Sequence, residues 1–313
     1  MSNEPEVIVV GAGVSGLTTA VCLAEAGLTV KIQAAGTNES TTSFAAGATW
    51  SPYLVESSER ARAWSFETLD VLRELAAQPG TGVVLRRGVT MADEPPEWHH
   101  RLDGFRLLGP AELPDGFAVG WSVVAPVVDM PAYLGYLRRR AEAAGVEIEV
   151  RRLASLDQAH APAVVNCTGI GARDLVGDAG VIPVRGQIVV VENPGITEFF
   201  VVEADPVTYF FPQGGTVVLG GTAEPGADDT EPDPDTAKAI IERCVRLEPL
   251  LAGARVVGHR VGLRPTRSTV RLEPEGRVIH NYGHGGAGLT LSWACARQVT
   301  AMLVPTAGRG SPS

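Results

Sequence analysis

Two glycine clusters are the residues best placed to do chemistry. Gly11-Ala12-Gly13-Val14-Ser15-Gly16 has the GxGxxG spacing and directly follows the apolar run Val7-Ile8-Val9-Val10. Glycines so spaced allow a tight turn, the approach of a pyrophosphate to bare backbone, and close packing of helix on strand. The helix start behind them adds unpaired N–H groups and a positive dipole end. The second cluster is Gly283-His284-Gly285-Gly286-Ala287-Gly288-Leu289-Thr290, between Val278-Ile279-His280-Asn281-Tyr282 and an apolar run to Met302. It is either a turn ending a strand or a second place where backbone meets a ligand atom that is, or becomes, negative. Ser40-Thr41-Thr42-Ser43-Phe44-Ala45-Ala46-Gly47 is either a hydroxyl-rich loop or a segment lying along a cofactor, and Trp50 and Tyr53 bring aromatics to the same place.

These groups need elements to hold them. Val7–Val10 reads as a buried parallel strand, Leu17 to Ala26 as a helix closed by Gly27, and Thr29 to Ile32 as the next strand. Strand, motif, helix and strand in register point to a dinucleotide. An acid normally ends the second strand and holds a ribose hydroxyl. Here Gln33-Ala34-Ala35-Gly36 stands there, with Glu39 the nearest acid, so Gln33 is the candidate ribose contact. That substitution argues against a simple NAD dehydrogenase. Ser57 to Ala77 reads as an amphipathic helix, followed by antiparallel strands around Val83 to Asp93 and Arg106 to Val124. Asp129-Met130-Pro131 caps a helix to Ala144. Val146–Arg151 and Ala163–Asn166 then return to the first domain. A second run of strands begins at Val184 and includes Phe199–Val202, Thr208–Phe211 and Thr216–Leu219. After a helix from Asp233 to Leu247, Val256–Arg264 and Thr269–Leu272 read as two further strands.

The chain has 313 residues, 45% hydrophobic and 20% charged, with a net charge of −10. That balance suits a globular enzyme and disfavours nucleic acid and membrane as partners. Cys22, Cys167, Cys244 and Cys295 form no CxxC pair, so no metal site is expected, and reduced thiols in a cytoplasmic protein are. Met1 to Glu6 lacks a basic region, so no secretion signal is expected, and Ser311-Pro312-Ser313 is not a peroxisomal tripeptide.

The sequence resembles the D-amino-acid oxidase family of FAD-dependent flavoproteins. The segments that carry the resemblance are Val7 to Gly16, Ala45-Ala46-Gly47 with Trp50 and Pro52, Val165-Asn166-Cys167-Thr168-Gly169, Arg185-Gly186-Gln187-Ile188, Gly262-Leu263-Arg264-Pro265, and Ile279 to Thr290. They run in family order from end to end. The resemblance implies an α/β fold: a Rossmann-like FAD-binding domain of residues 1–53, 140–183 and 275–313, and a discontinuous, β-rich (α+β) substrate domain of 54–139 and 184–274. It implies FAD on Gly11, Gly13, Val14, Ser15 and Gly16, then along Thr41, Thr42, Ala46, Gly47 and Leu153. Gly285, Gly286, Gly288, Leu289 and Thr290 would lie against the flavin.

The family passes hydride from the α-carbon of a D-amino acid to flavin N5, and O2 reoxidises the flavin to give hydrogen peroxide. Resemblance implies that Arg264 holds the substrate carboxylate, with Tyr209 beside it and Gly286 at the reacting centre. Ser51, Tyr53, Glu203 and Ala204 would border the substrate. Larger family members carry a lid loop just before that tyrosine, whereas only Asp205-Pro206-Val207-Thr208 precedes Tyr209 here. The expected substrates are neutral and basic D-amino acids, and the candidate assembly is a homodimer. The rivals are a D-aspartate oxidase, a glycine or sarcosine oxidase, an NAD(P) dehydrogenase, and a flavin-binding protein without activity.

Overall fold

A computed structural model describes residues 4–53 and 55–304. The terminal stretches, including Ser311-Pro312-Ser313, lie outside the described residues. The chain opens with β1 (Val7–Val10), α1 (Val14–Glu25) and β2 (Val30–Ala34). All four residues of β1 are buried, as a parallel strand covered on both faces requires. The helix starts three residues earlier than the sequence pattern suggested, with Gly13 as its N-cap. Gly27, at φ +95°, ends it in a conformation that favours glycine.

Next come α2 (Thr42–Ala45), β3 (Ala48–Thr49), α3 (Glu59–Ala76), β4 (Val83–Met91), β5 (Asp103–Leu107), β6 (Gly120–Val128) and α4 (Met130–Ala143). The Asp129 carboxylate accepts from the Ala132 N–H and starts α4 beside Pro131. Leu69 and Leu72 of α3 and Tyr133 and Leu137 of α4 share one core with Val9 and Leu17. A cut at 53/54 separates α3 from that core, and a cut at 139/140 divides α4. The reason is long-range: an apolar helix stripe packs on the nearest apolar face, whatever segment it arrives with.

Then follow β7 (Glu147–Val150), β8 (Ala163–Asn166), α5 (Ala172–Leu175), β9 (Ile182–Glu192), β10 (Phe199–Val202), β11 (Thr208–Gln213), β12 (Thr216–Gly220), β13 (Glu224–Pro225), α6 (Pro234–Leu247), β14 (Val256–Glu275), β15 (Val278–His284) and α7 (Gly288–Leu303). A parallel sheet runs β15-β8-β1-β2-β7. A mixed sheet runs β3-β6-β4-β10-β11-β12-β9-β14. The two strands expected over Val256–Arg264 and Thr269–Leu272 are one, β14. Its first part pairs with β9 up to Thr266, and its second part pairs with β15 after a register break between Thr266 and Arg271. It therefore welds the two sheets together, with Arg264 just before the crossing point. Cys167, Cys244 and Cys295 are buried, Cys22 is partly buried, and all four are free thiols. No helix among the described residues is long and apolar enough to cross a membrane.

Candidate functional site

The first loop shows why its glycines are needed. Gly11 sits at φ +113°, and a Cβ there would fall 2.4 Å from the Cys167 carbonyl oxygen. A Cβ on Gly16 would fall 2.0 Å from the Gly11 carbonyl oxygen, so Gly16 serves helix–strand packing. Gly13 is different: its nearest protein neighbour would be the Ser43 hydroxyl at 3.1 Å, and the space beyond is cavity. That hydroxyl accepts the Val14 N–H at 3.0 Å, at the start of α1. The cavity holds about 1850 Å³ and runs from this loop to Arg264 and Tyr209. Its size exceeds a single drug-sized site and suits a dinucleotide with a small second ligand. At its far side α7 begins without any side-chain cap, so the N–H groups of its first turn are not taken by one.

At the other end, β14 delivers Arg264 and β11 delivers Tyr209. The Arg264 guanidinium donates to the Thr222 carbonyl at 3.0 Å and to the Arg185 carbonyl at 3.4 Å. Among the described residues no carboxylate pairs with it. A Cβ on Gly186 would fall 2.3 Å from Arg264 Nη1, so the glycine makes room for the guanidinium. Arg185 itself turns away to Glu224, Asp229 and Gln187. Burial pushes the Tyr209 hydroxyl up to about 12, against the pull of the Arg264 charge, so it stays a donor at neutral pH. Gly220 lies flat against its ring: a Cβ there would fall 2.0 Å from the ring carbon Cζ. The Tyr53 ring centroid is 5.8 Å from the Arg264 guanidinium carbon. It packs on Gly286, where a Cβ would meet it at 2.6 Å. Trp121, Ile188, Phe199, Val201 and Phe211 line the same part of the cavity.

Known proteins resemble this chain in sequence and fold. The family profile of the FAD dependent oxidoreductases matches residues 6–302. A D-amino-acid oxidase of Streptomyces coelicolor is 50% identical over 309 residues, covering 95% of this chain and 96% of the relative. The chain belongs to the D-amino-acid oxidase family. A human D-aspartate oxidase is 35% identical over 96% of this chain and 95% of its own length. Among solved structures, a glycine oxidase of Geobacillus kaustophilus superposes with a TM-score of 0.80 at 22% identity, covering 97% of this chain and 96% of that one, which speaks for the fold.

The family's cofactor is FAD, and the residues present fit it. Two buried polar atoms of cavity-lining residues, Asn281 Oδ1 and His284 Nε2, have no partner among the described residues. Val14, Ser15, Thr41, Thr42, Ala46, Gly47, Leu153, Gly285, Gly286, Gly288 and Leu289 all line the cavity, as do Ser51, Tyr53, Glu203 and Ala204. Gly16 and Thr290 do not. The Thr290 hydroxyl instead clasps Ser51, donating to its carbonyl at 2.8 Å and accepting its N–H at 3.1 Å.

Three of the expected contact side chains are hydrogen-bonded within the protein. The Thr41 hydroxyl donates to the Asn38 carbonyl and the Thr42 hydroxyl to the Leu263 carbonyl, so these protons are spent locally. Gln33 is buried and donates to Glu149 at 3.0 Å, away from the cavity. Ala35, Gly36, Arg151 and Arg152 line the corresponding end and could hold the adenosine. Ser43 also lines the cavity, as does the segment Glu94-Pro95-Pro96-Glu97-Trp98, which the sequence analysis missed. Ser43 was legible from its place in the hydroxyl run, whereas nothing local marks the other segment. Its Trp98 packs edge-on against Trp50 and Phe66.

Proposed function

We propose that the protein oxidises neutral D-amino acids: D-amino acid, O2 and water give 2-oxo acid, ammonia and hydrogen peroxide. The observation that carries this is Arg264, a half-buried guanidinium without a carboxylate partner among the described residues, facing the cavity beside Tyr209. An uncompensated cation at that depth calls for an anion, and its planar fork suits a carboxylate. Bound FAD would supply the two-electron acceptor for the substrate's α C–H bond. Arg264 and the Tyr209 hydroxyl would hold the carboxylate, and with it the orientation of the α-carbon. Trp121, Ile188, Phe199, Val201 and Phe211 would take an apolar side chain. Glu203 and Asp205 stand in the stretch 199–209, which brings no arginine or lysine, so a second substrate carboxylate would meet like charge there.

An oxygen-consumption screen over D- and L-amino acids, glycine and sarcosine tests the proposal. D-alanine and D-valine should be consumed well and D-aspartate poorly; a preference for D-aspartate would move the protein to the other branch of its family. Arg264→Leu should keep FAD and lose most activity, since breaking a desolvated charge pair costs roughly 2–5 kcal/mol. Near-normal kinetics in that variant would sink the assignment.

We also propose a flavin side built from residues 4–53, 59–76, 130–183 and 275–304, and a substrate side from the remainder. A cytoplasmic location and a homodimer complete the proposal. The free thiols support the location, and sedimentation of the FAD-loaded protein would test the dimer.

A further inference from the structure

Helix α6 lies on the face of the mixed sheet opposite the cavity. Its Ile240 and Cys244 pack with Phe210 and Leu219, while Tyr209 and Phe211 turn the other way to meet Val218 and Ile188. This is the alternation of a strand with two covered faces. One cationic side chain of α6 reaches the strand ends from behind. The Arg243 Nε–H donates to the Thr208 hydroxyl at 3.1 Å, and its Nη2 donates to the Gly221 carbonyl at 2.9 Å. Among the described residues no carboxylate pairs with Arg243. A half-buried guanidinium thus spends its fork on two neutral acceptors, one at the end of each strand.

Those acceptors flank the active side chains. Tyr209 and Gly220 face each other across β11 and β12, and Thr208 and Gly221 are their next neighbours. Gly221 also closes the gap by donating its N–H to the Val207 carbonyl at 3.1 Å. The residue after it, Thr222, supplies the carbonyl that orients Arg264.

We propose that Arg243 is a positioning residue for carboxylate recognition: from behind the sheet it ties Thr208 to Gly221, and so fixes the spacing of Tyr209 and Arg264. This rests on the roles given to those two residues under the proposed function. Lysine cannot do the same work, because a single ammonium lacks the rigid fork that spans two acceptors.

Steady-state kinetics of the FAD-loaded protein with D-alanine test the proposal. Arg243→Ala should raise KM about tenfold or more, because misplacement of a binding group is costly. Its kcat should change less, and its flavin spectrum and FAD affinity should match wild type. Arg243→Lys should recover only part of the loss. In a Tyr209→Phe background, Arg243→Ala should cost clearly less than in wild type, since coupled groups are not additive. A wild-type KM in Arg243→Ala would overturn the proposal. So would an equal fold loss in both backgrounds, or a lowered melting temperature with intact kinetics. If Arg243→Ala does not fold, Arg243→Lys and Arg243→Gln carry the same KM comparison. Wild-type kinetics in Arg264→Leu would instead mark a failure of the functional proposal; failure of the Arg243 proposal alone leaves Arg264→Leu impaired.

Discussion

Gly13 and Gly16 belong to one motif and do different things. Gly16 has backbone at 2.0 Å from where a Cβ would sit, and Gly13 has only a hydroxyl at 3.1 Å. Gly16→Val should therefore break the packing of α1 on β1 and lower soluble yield. Gly13→Val should fold, with its methyls filling the cavity, and purify colourless. A yellow, active Gly13→Val protein would count against this loop as the phosphate site. His284 makes a second prediction. Burial pulls its pKa down to about 4, so it is neutral at pH 7. The unfolded chain binds a proton near pH 6.5 and the folded one does not, so stability falls as pH drops through that window. Between pH 7 and pH 5 the loss from this group is about 2 kcal/mol. His284→Asn should flatten that part of the denaturation-midpoint profile, and an equally steep profile in the variant would refute the point.

The connection between β10 and β11 lines the cavity near Tyr209. It spans residues 203–207, too few for the lid loop seen in larger family members. Where lids close, their opening often limits turnover. Here single-turnover flavin bleaching should match kcat at saturating oxygen, and bleaching much faster than kcat would reveal another slow step. The brevity of this connection was legible in the sequence, as were β1, α1 and β2, because each rests on local pattern: an apolar run, fixed glycine spacing, a helix stop. The cap at Asp129 was legible for the same reason, whereas Asp233, expected inside its helix, proves to be the cap of α6. Elements that depend on distant contacts were not. The continuity of β14 comes from pairing with β9 and then β15, and its interior polar residues read as a break. The segment Glu94–Trp98 reaches the cavity through Trp98 docking on Trp50 and Phe66, a contact no spacing encodes.

At the scale of the molecule, two sheets share one strand, and the cavity spans both. Arg264 and the first glycine loop are therefore held by the same welded framework. Three of the four cysteines are buried in it and Cys22 is partly buried. Burial pushes the thiols of Cys22, Cys167 and Cys244 up to about 12 and raises that of Cys295 as well. Peroxide attacks thiolate, not thiol. A protein that releases hydrogen peroxide beside its own core thus offers its product almost no sulfur anion to oxidise. Met91 and Met130 are sealed at 1% exposure, and Met302 is open at 37%. Under repeated turnover, damage among the described residues should begin as a sulfoxide at Met302, on the outer end of α7, while the thiols survive. Peptide mass spectrometry after prolonged catalysis would show the order, and oxidised cysteine ahead of Met302 would contradict it. The fold is then its own shield against self-inactivation, and the sulfur that wears first is the exposed one near the C-terminal end of α7.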